Sequence, residues 1–113
     1  MSNKIINKLV RDNIPNIIAE GGTKVTFHSV VADKDAFKEY LKDKLIEEAT
    51  ELSKAERIVN IREEIADVIE VIDALINLYE IPFGSIEYTI ETNRSLRGSF
   101  GKGFILDYTE EAD

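Results

Sequence analysis

Two long segments of the chain repeat their apolar residues at intervals of three and four. The first runs from Asp35 to about Lys54, and the second runs from Asn60 to Tyr79. This spacing matches the 3.6-residue turn of an α-helix that has one apolar face. We therefore predict two long amphipathic helices joined as a helical hairpin.

The second predicted helix has an apolar face that one neighbouring helix would not cover. Its apolar and aromatic residues are Ile61, Ile65, Val68, Ile69, Val71, Ile72, Leu75, Ile76 and Tyr79. Such a width indicates burial between several helices, including helices of another subunit. A hairpin with this face is not expected to be stable alone, so we predict a homodimer or a higher homo-oligomer.

Shorter helices are predicted on both sides of the hairpin. Pro15 suits the first turn of a helix that ends at Glu20, because two glycines follow it. Ser85 is a candidate cap for a helix that continues to about Arg94. These elements make the predicted fold mainly α.

Two segments are rich in the β-branched and aromatic residues that are typical of strands. They are Lys24 to Val31 and Phe104 to Tyr108, and we predict that they pair as a small two-stranded β accessory. A chain of 113 residues is long enough for one hydrophobic core but not for two. Residues 1–113 are therefore expected to form a single domain.

The composition excludes several classes of function. The chain has no cysteine, which rules out disulfides, thiolate metal sites and a cysteine nucleophile. Its net charge of −8 disfavours nucleic-acid binding and acidic membranes, because both require a surplus of Lys and Arg. The sequence has no apolar run of about 20 residues that would cross a bilayer. We expect a cytoplasmic protein with neither a nucleic-acid nor a membrane partner.

Acidic residues lie beside the apolar stripe on both long helices. Glu48 and Glu51 on the first helix are three positions apart, as are Glu64 and Asp67 on the second. Residues three apart in a helix differ by only about 60° around its axis, so each pair shares a face. The two pairs are therefore predicted to face each other across the hairpin.

Carboxylates gathered in this way need a compensating cation. Two of them a few ångströms apart repel by about 4 kcal/mol at an effective dielectric constant near 20. Oxygen ligands without His or Cys favour Mg²⁺, or Mn²⁺, over zinc. Such ions also neutralise a polyphosphate, which explains how a protein of net charge −8 binds an anionic substrate.

An alternative is that these acids belong to ordinary charged helix surfaces. They would then form ion pairs with Lys42, Lys44, Lys54 and Arg62 on the same helices. In that case the chain would be a non-catalytic helical module that binds a structural cation or forms an oligomer.

The acidic motifs resemble those of a known family. EExxE at Glu47 to Glu51 is followed, after twelve residues, by ExxD at Glu64 to Asp67. This arrangement is similar to the signature of the MazG-like nucleotide pyrophosphohydrolases, an all-α superfamily that includes phosphoribosyl-ATP pyrophosphohydrolase. The segments NKLVRDNIP, from Asn7 to Pro15, and RGSFGKGFIL, from Arg97 to Leu106, resemble one MazG-like subgroup.

The resemblance implies a reaction and a set of site residues. A nucleoside triphosphate, or a related phosphoanhydride, would be hydrolysed between its α and β phosphates, as in house-cleaning of the nucleotide pool. Phosphoribosyl-ATP hydrolysis in histidine biosynthesis is the related alternative. The implied metal ligands are Glu48, Glu51, Glu64 and Asp67, while Glu47 would orient or deprotonate the attacking water. The resemblance also implies a four-helix-bundle core built from two chains.

Five cations are candidates for binding the phosphates of the substrate. Lys8 and Arg11 lie near the N-terminus, Lys44 precedes Glu48 by one helical turn, and the glycine-rich tail carries two more, Arg97 and Lys102. Arginine presents a planar fork to phosphate oxygens, and nearby glycines let backbone amides approach an anion. Alternatively, the glycines only make turns, and Arg94 or Arg97 pairs with Glu87 or Glu91.

Overall fold

The protein is described by a computed structural model that covers Lys4 and residues 6–112. Within this part of the chain there are four helices, and the mainly α class is confirmed. Their bounds are Ile14–Glu20 for α1, Lys34–Lys54 for α2, Ile58–Leu78 for α3 and Ser85–Arg97 for α4. Each helix lies where the sequence predicts one, and α4 is three residues longer at its end than expected.

The two long helices form the predicted hairpin. The carboxylate of Asp33 caps α2, because its Oδ1 accepts a hydrogen bond from the backbone N–H of Ala36 at 3.1 Å. Ala55 leaves the helical conformation and ends α2, and α3 starts at Ile58. A connection this short makes the two helices antiparallel neighbours, and they pack against each other.

The hydrophobic core between the long helices is small. Leu41 on α2 and Val71 on α3 are the buried apolar side chains among the described residues, with exposed fractions of 3% and 8%. They lie far from the connection on their respective helices, as antiparallel packing requires.

A second apolar stripe on α3 faces away from this core. Ile58, Ile65, Ile69 and Ile72 are between 39% and 72% exposed. At 3.6 residues per turn they lie about 130° on average around the axis from Val71. The wide apolar face predicted for this helix is therefore only half covered in the single chain.

The predicted two-stranded β accessory is not confirmed. Residues 24–31 and 104–108 lie outside the helices, and the structure assigns no strand to either segment or to any other described residue. Valine, isoleucine and phenylalanine favour strands only when a neighbouring strand completes the hydrogen-bond ladder. Val25, Phe27, Phe104 and Ile105 instead remain exposed.

The chain divides into two compact units. The first extends to Glu80 and contains α1, α2 and α3, while the second begins at Ile81 and contains α4 and the glycine-rich tail. None of the described helices is long and apolar enough to cross a membrane. That residues 1–113 act as a single domain stays a prediction.

Candidate metal centre

The hairpin brings acidic residues of α2 and α3 to the same level. Glu48 lies six residues before the end of α2, and Glu64 lies six residues after the start of α3. Asp67 follows Glu64 by just under one turn and faces the same way. One carboxylate oxygen from each of these three residues lies within 4.8 Å of the other two.

One oxygen of this carboxylate trio, Glu48, Glu64 and Asp67, is buried without a partner. Oε2 of Glu64 has less than 1 Å² of accessible surface and receives no hydrogen bond within the described part of the chain. Burial raises the pKa of Glu64, and the charges of Asp67 and Glu48 raise this pKa further. A buried carboxylate oxygen without a donor is unfavourable, so this position requires a cation or a proton.

The carboxylate trio fits a small, hard divalent cation. It offers only oxygen ligands, which Mg²⁺ and Mn²⁺ prefer. Two ligands on opposite sides of a Mg²⁺ ion are separated by about 4 Å, which is twice the metal–oxygen distance. The observed separations, up to 4.8 Å, need only small side-chain rotations to meet this geometry.

Glu51, the fourth predicted ligand, does not join the trio. It lies one turn after Glu48 on α2, and its side chain is exposed. Its charge nevertheless contributes to the raised pKa of Glu64, so the two carboxylates lie close enough to interact. The structure thus brings together three of the four residues that were predicted to bind the metal.

Glu47, the predicted catalytic carboxylate, is held by two lysines. Its Oε1 accepts a hydrogen bond from Nζ of Lys8 at 3.2 Å, and its Oε2 accepts one from Nζ of Lys44 at 3.5 Å. Burial alone would raise the pKa of Glu47, but the hydrogen bonds and charges of Lys8 and Lys44 outweigh it and lower this pKa. Glu47 is therefore ionised at neutral pH.

Three of the five predicted phosphate-binding cations contact acids of this site. Besides Lys8, Arg11 donates a hydrogen bond from Nη2 to Oδ1 of Asp67 at 2.7 Å. Nζ of Lys44 lies 3.6 Å from Oε1 of Glu48, one turn away on α2. Lys44 thus forms the local ion pairs expected of a charged helix surface, whereas Lys8 and Arg11 reach the site from a distant part of the sequence.

The other two cations, Arg97 and Lys102, belong to the second unit. They line an open hollow of about 300 Å³ together with Gly98, Ser99, Gly101 and Phe104. Gly98 adopts a positive φ of 78° directly after α4, which is the conformation that glycine best allows. The predicted role of Arg97 and Lys102 in substrate binding stays a prediction.

One contact beside the site was not anticipated from the sequence. The hydroxyl of Tyr40 on α2 donates a hydrogen bond to Oδ1 of Asn7 at 2.8 Å. Leu9, Lys44 and Glu47 lie around the same small cavity of about 50 Å³. A partly buried tyrosine hydroxyl usually finds a partner, but Tyr40 and Asn7 are 33 residues apart and no local pattern indicates that they meet.

Known proteins add no further assignment for this site. Comparison of the chain with models of protein families, with curated proteins and with solved structures finds no match.

Proposed function

We propose that this protein is a Mg²⁺-dependent pyrophosphohydrolase of the MazG-like kind. It would hydrolyse a nucleoside triphosphate between the α and β phosphates to a monophosphate and pyrophosphate, in house-cleaning of the nucleotide pool in the cytoplasm. The observation that carries the proposal is the carboxylate trio with its buried, unpartnered Glu64 oxygen. The resemblance of EExxE and ExxD to the family signature supplies the reaction.

The metal ligands in this proposal are Glu48, Glu64 and Asp67. Glu51 is a candidate fourth ligand, because its exposed side chain on the same face of α2 is free to rotate toward the trio. Mg²⁺ held there supplies Lewis-acid activation of the phosphoanhydride and offsets its negative charge. The carboxylates would hold such an ion between the two long helices.

Glu47 is proposed to orient the attacking water. The lysines that lower its pKa keep it ionised and ready to accept a hydrogen bond from water. The same lowered pKa makes Glu47 a weak base, because proton transfer is most efficient when the pKa lies near the working pH. Orientation of the water is therefore favoured over its complete deprotonation by this residue.

Substrate phosphates are proposed to meet the cations around the trio. Lys8, Arg11 and Lys44 already lie within 3.6 Å of its acids or of Glu47. Arg97 and Lys102 of the glycine-rich tail stay candidates for phosphate binding on the strength of the motif resemblance. Binding through metal and local cations agrees with a net charge of −8, which disfavours nucleic acids and acidic membranes as partners.

A second copy of the chain is proposed to cover the outer stripe of α3. Ile58, Ile65, Ile69 and Ile72 would pack against their counterparts, and two hairpins would complete a four-helix bundle. Burial of these residues adds the apolar contacts that the small core around Leu41 and Val71 does not provide.

A pyrophosphate-release assay tests the function. Purified protein with Mg²⁺ or Mn²⁺ is given standard and modified nucleoside triphosphates, and also phosphoribosyl-ATP. We expect turnover of at least one nucleoside triphosphate, and its loss in Glu64→Gln and Asp67→Asn. Glu39→Gln, which removes an exposed acid elsewhere on α2, is the matched control and should retain activity.

Each other outcome of this assay favours a different function. Turnover of phosphoribosyl-ATP alone would assign the chain to histidine biosynthesis. Metal binding without turnover of any substrate would instead identify a non-catalytic cation-binding module.

A further inference from the structure

The segment from Asn7 to Arg11 carries two cations to the acids of the candidate site. Nζ of Lys8 lies 3.2 Å from Oε1 of Glu47, and Nη2 of Arg11 lies 2.7 Å from Oδ1 of Asp67. We refer to residues 7–11 as the cationic strap. Its contacts therefore fall on one proposed metal ligand and on the proposed catalytic carboxylate.

The strap is attached to the hairpin by contacts that do not involve these acids. The Tyr40 hydroxyl holds Asn7 at 2.8 Å, and Leu9 and Val10 are half-buried. Asn7 has a positive φ of 50°, in the left-handed region that asparagine adopts more readily than most residues. The strap therefore keeps its place beside the site even when Lys8 or Arg11 changes partner.

Arg11 and a divalent cation would compete for the same carboxylate. Asp67 offers its Oδ1 to the guanidinium, and one oxygen of Asp67 also belongs to the carboxylate trio. The Arg11 side chain is 59% exposed, and an exposed ion pair contributes little to stability. The guanidinium is thus held weakly enough for a metal ion to displace it.

We infer that the cationic strap is a built-in counter-cation for the metal centre, and that metal binding transfers Arg11 from Asp67 to the polyphosphate of the substrate. This inference rests on the proposed function. With no ion bound, Arg11 offsets the charge of the trio. Once the ion takes Asp67, the guanidinium is released beside the bound phosphates, which it can contact through two N–H groups. Arg11 is then a positioning residue that couples metal binding to substrate binding.

Lys44, unlike Arg11, is not expected to change partner when a metal ion binds. Its ammonium contacts Glu47 and Glu48 from the same helix, at three and four residues' distance, and its side chain is only 20% exposed. Lys44 therefore remains beside those acids when Lys8 or Arg11 of the strap changes partner. The coupling is therefore assigned to the strap, and above all to Arg11.

Titration with Mn²⁺ alone tests the inference. Affinity is measured by calorimetry for the wild-type protein, Arg11→Gln and Lys42→Gln, which removes an equal charge from an exposed pair with Glu39. We expect Arg11→Gln to bind Mn²⁺ about two- to fivefold more tightly than wild type, the range of an exposed ion pair. Lys42→Gln should not change the affinity. At saturating Mn²⁺, Arg11→Gln should bind tripolyphosphate more weakly than wild type.

Limited trypsin digestion of the wild-type protein gives a second measurement that needs no variant. Mn²⁺ should speed cleavage after Arg11, because it frees that side chain from Asp67, but not cleavage after Lys8, whose partner Glu47 is not a metal ligand. Equal Mn²⁺ affinities of wild type and Arg11→Gln, or cleavage that Mn²⁺ does not speed, would overturn the inference and leave the proposed function intact. If the wild-type protein binds no Mn²⁺, the metal centre and the inference are both overturned.

Discussion

Glu48 and Glu64 lie on facing helices with carboxylate oxygens no more than 4.8 Å apart, and Oε2 of Glu64 is buried with no hydrogen-bond donor among the described residues. Two like charges this close destabilise the hairpin that holds them. Asp67 adds a third charge, which Arg11 partly offsets. The close placement of three oxygen ligands therefore lowers the stability of the hairpin at this point.

The first prediction concerns the stability of the metal-free protein. Glu64→Gln should raise the urea midpoint of unfolding at pH 7, because a neutral amide removes the repulsion from Asp67 and Glu48. The same substitution should abolish the further stabilisation that Mg²⁺ gives to wild type. Glu39→Gln serves as the control and should leave both quantities unchanged. A lower midpoint for Glu64→Gln without metal would contradict the repulsion.

The second prediction concerns pH. The pKa of Glu64 is raised above its ordinary value of 4.5 by burial, then by the charges of Asp67, Glu48 and Glu51. The folded state therefore binds this proton more tightly than the unfolded state. The resulting stabilisation is fully present below pH 4.5 and is lost as the pH rises through the folded-state pKa.

Comparison with Glu64→Gln isolates this contribution from those of other groups. In EDTA, the unfolding free energy of wild type should fall relative to that of Glu64→Gln as the pH rises from 4 to 7. Saturating Mg²⁺ should reverse this trend, because the ion favours the ionised carboxylate. A difference that stays constant with pH would show that Glu64 has an ordinary pKa.

The features that could be predicted from the sequence are those fixed by local periodicity. The spacing of three and four places α2 and α3, and it also puts Glu48, Glu64 and Asp67 on facing sides of the hairpin. The strap contacts could not be predicted in this way. Arg11 and Asp67 are 56 residues apart, and no pattern within either segment indicates that they meet.

The strand prediction was not confirmed for a related reason. Residues 24–31 have a composition suited to a strand, but a strand forms only where a partner supplies hydrogen bonds. Composition describes one segment and says nothing about that partner. Glu51 illustrates the same limit at the site, because helical spacing aligns it with Glu48 but does not fix how far its side chain reaches.

The third prediction concerns assembly. Ile69→Lys should prevent the proposed oligomer from forming in sedimentation experiments, because Ile69 is 52% exposed in the single chain and lies at the centre of the outer α3 stripe. Full burial of an isoleucine side chain contributes about 1.5–3 kcal/mol; Ile69 has roughly half of this left to gain on assembly, and a symmetric dimer loses that half twice. Ile17→Lys, at an exposed position on α1, should not alter the sedimentation coefficient. A wild-type protein that sediments as a monomer at micromolar concentration would contradict the assembly.

The fourth prediction separates the role of Glu47 from that of the metal ligands. Glu47→Gln keeps the size of the side chain but weakens its hydrogen bond to water and its pairing with Lys8 and Lys44. We expect the rate of pyrophosphate release to fall about 10²-fold, the typical cost of losing the correct position of a reacting group. Mn²⁺ affinity should remain within a small factor of wild type, because the carboxylate trio is intact.

Asp67→Asn provides the contrast, since it should lose Mn²⁺ binding and activity together. A loss of Mn²⁺ affinity in Glu47→Gln as large as that in Asp67→Asn would make Glu47 a ligand instead. Full activity of Glu47→Gln would remove it from the reaction altogether. Glu47 would then serve only to hold Lys8 of the cationic strap against α2, in addition to the anchoring contact between Tyr40 and Asn7.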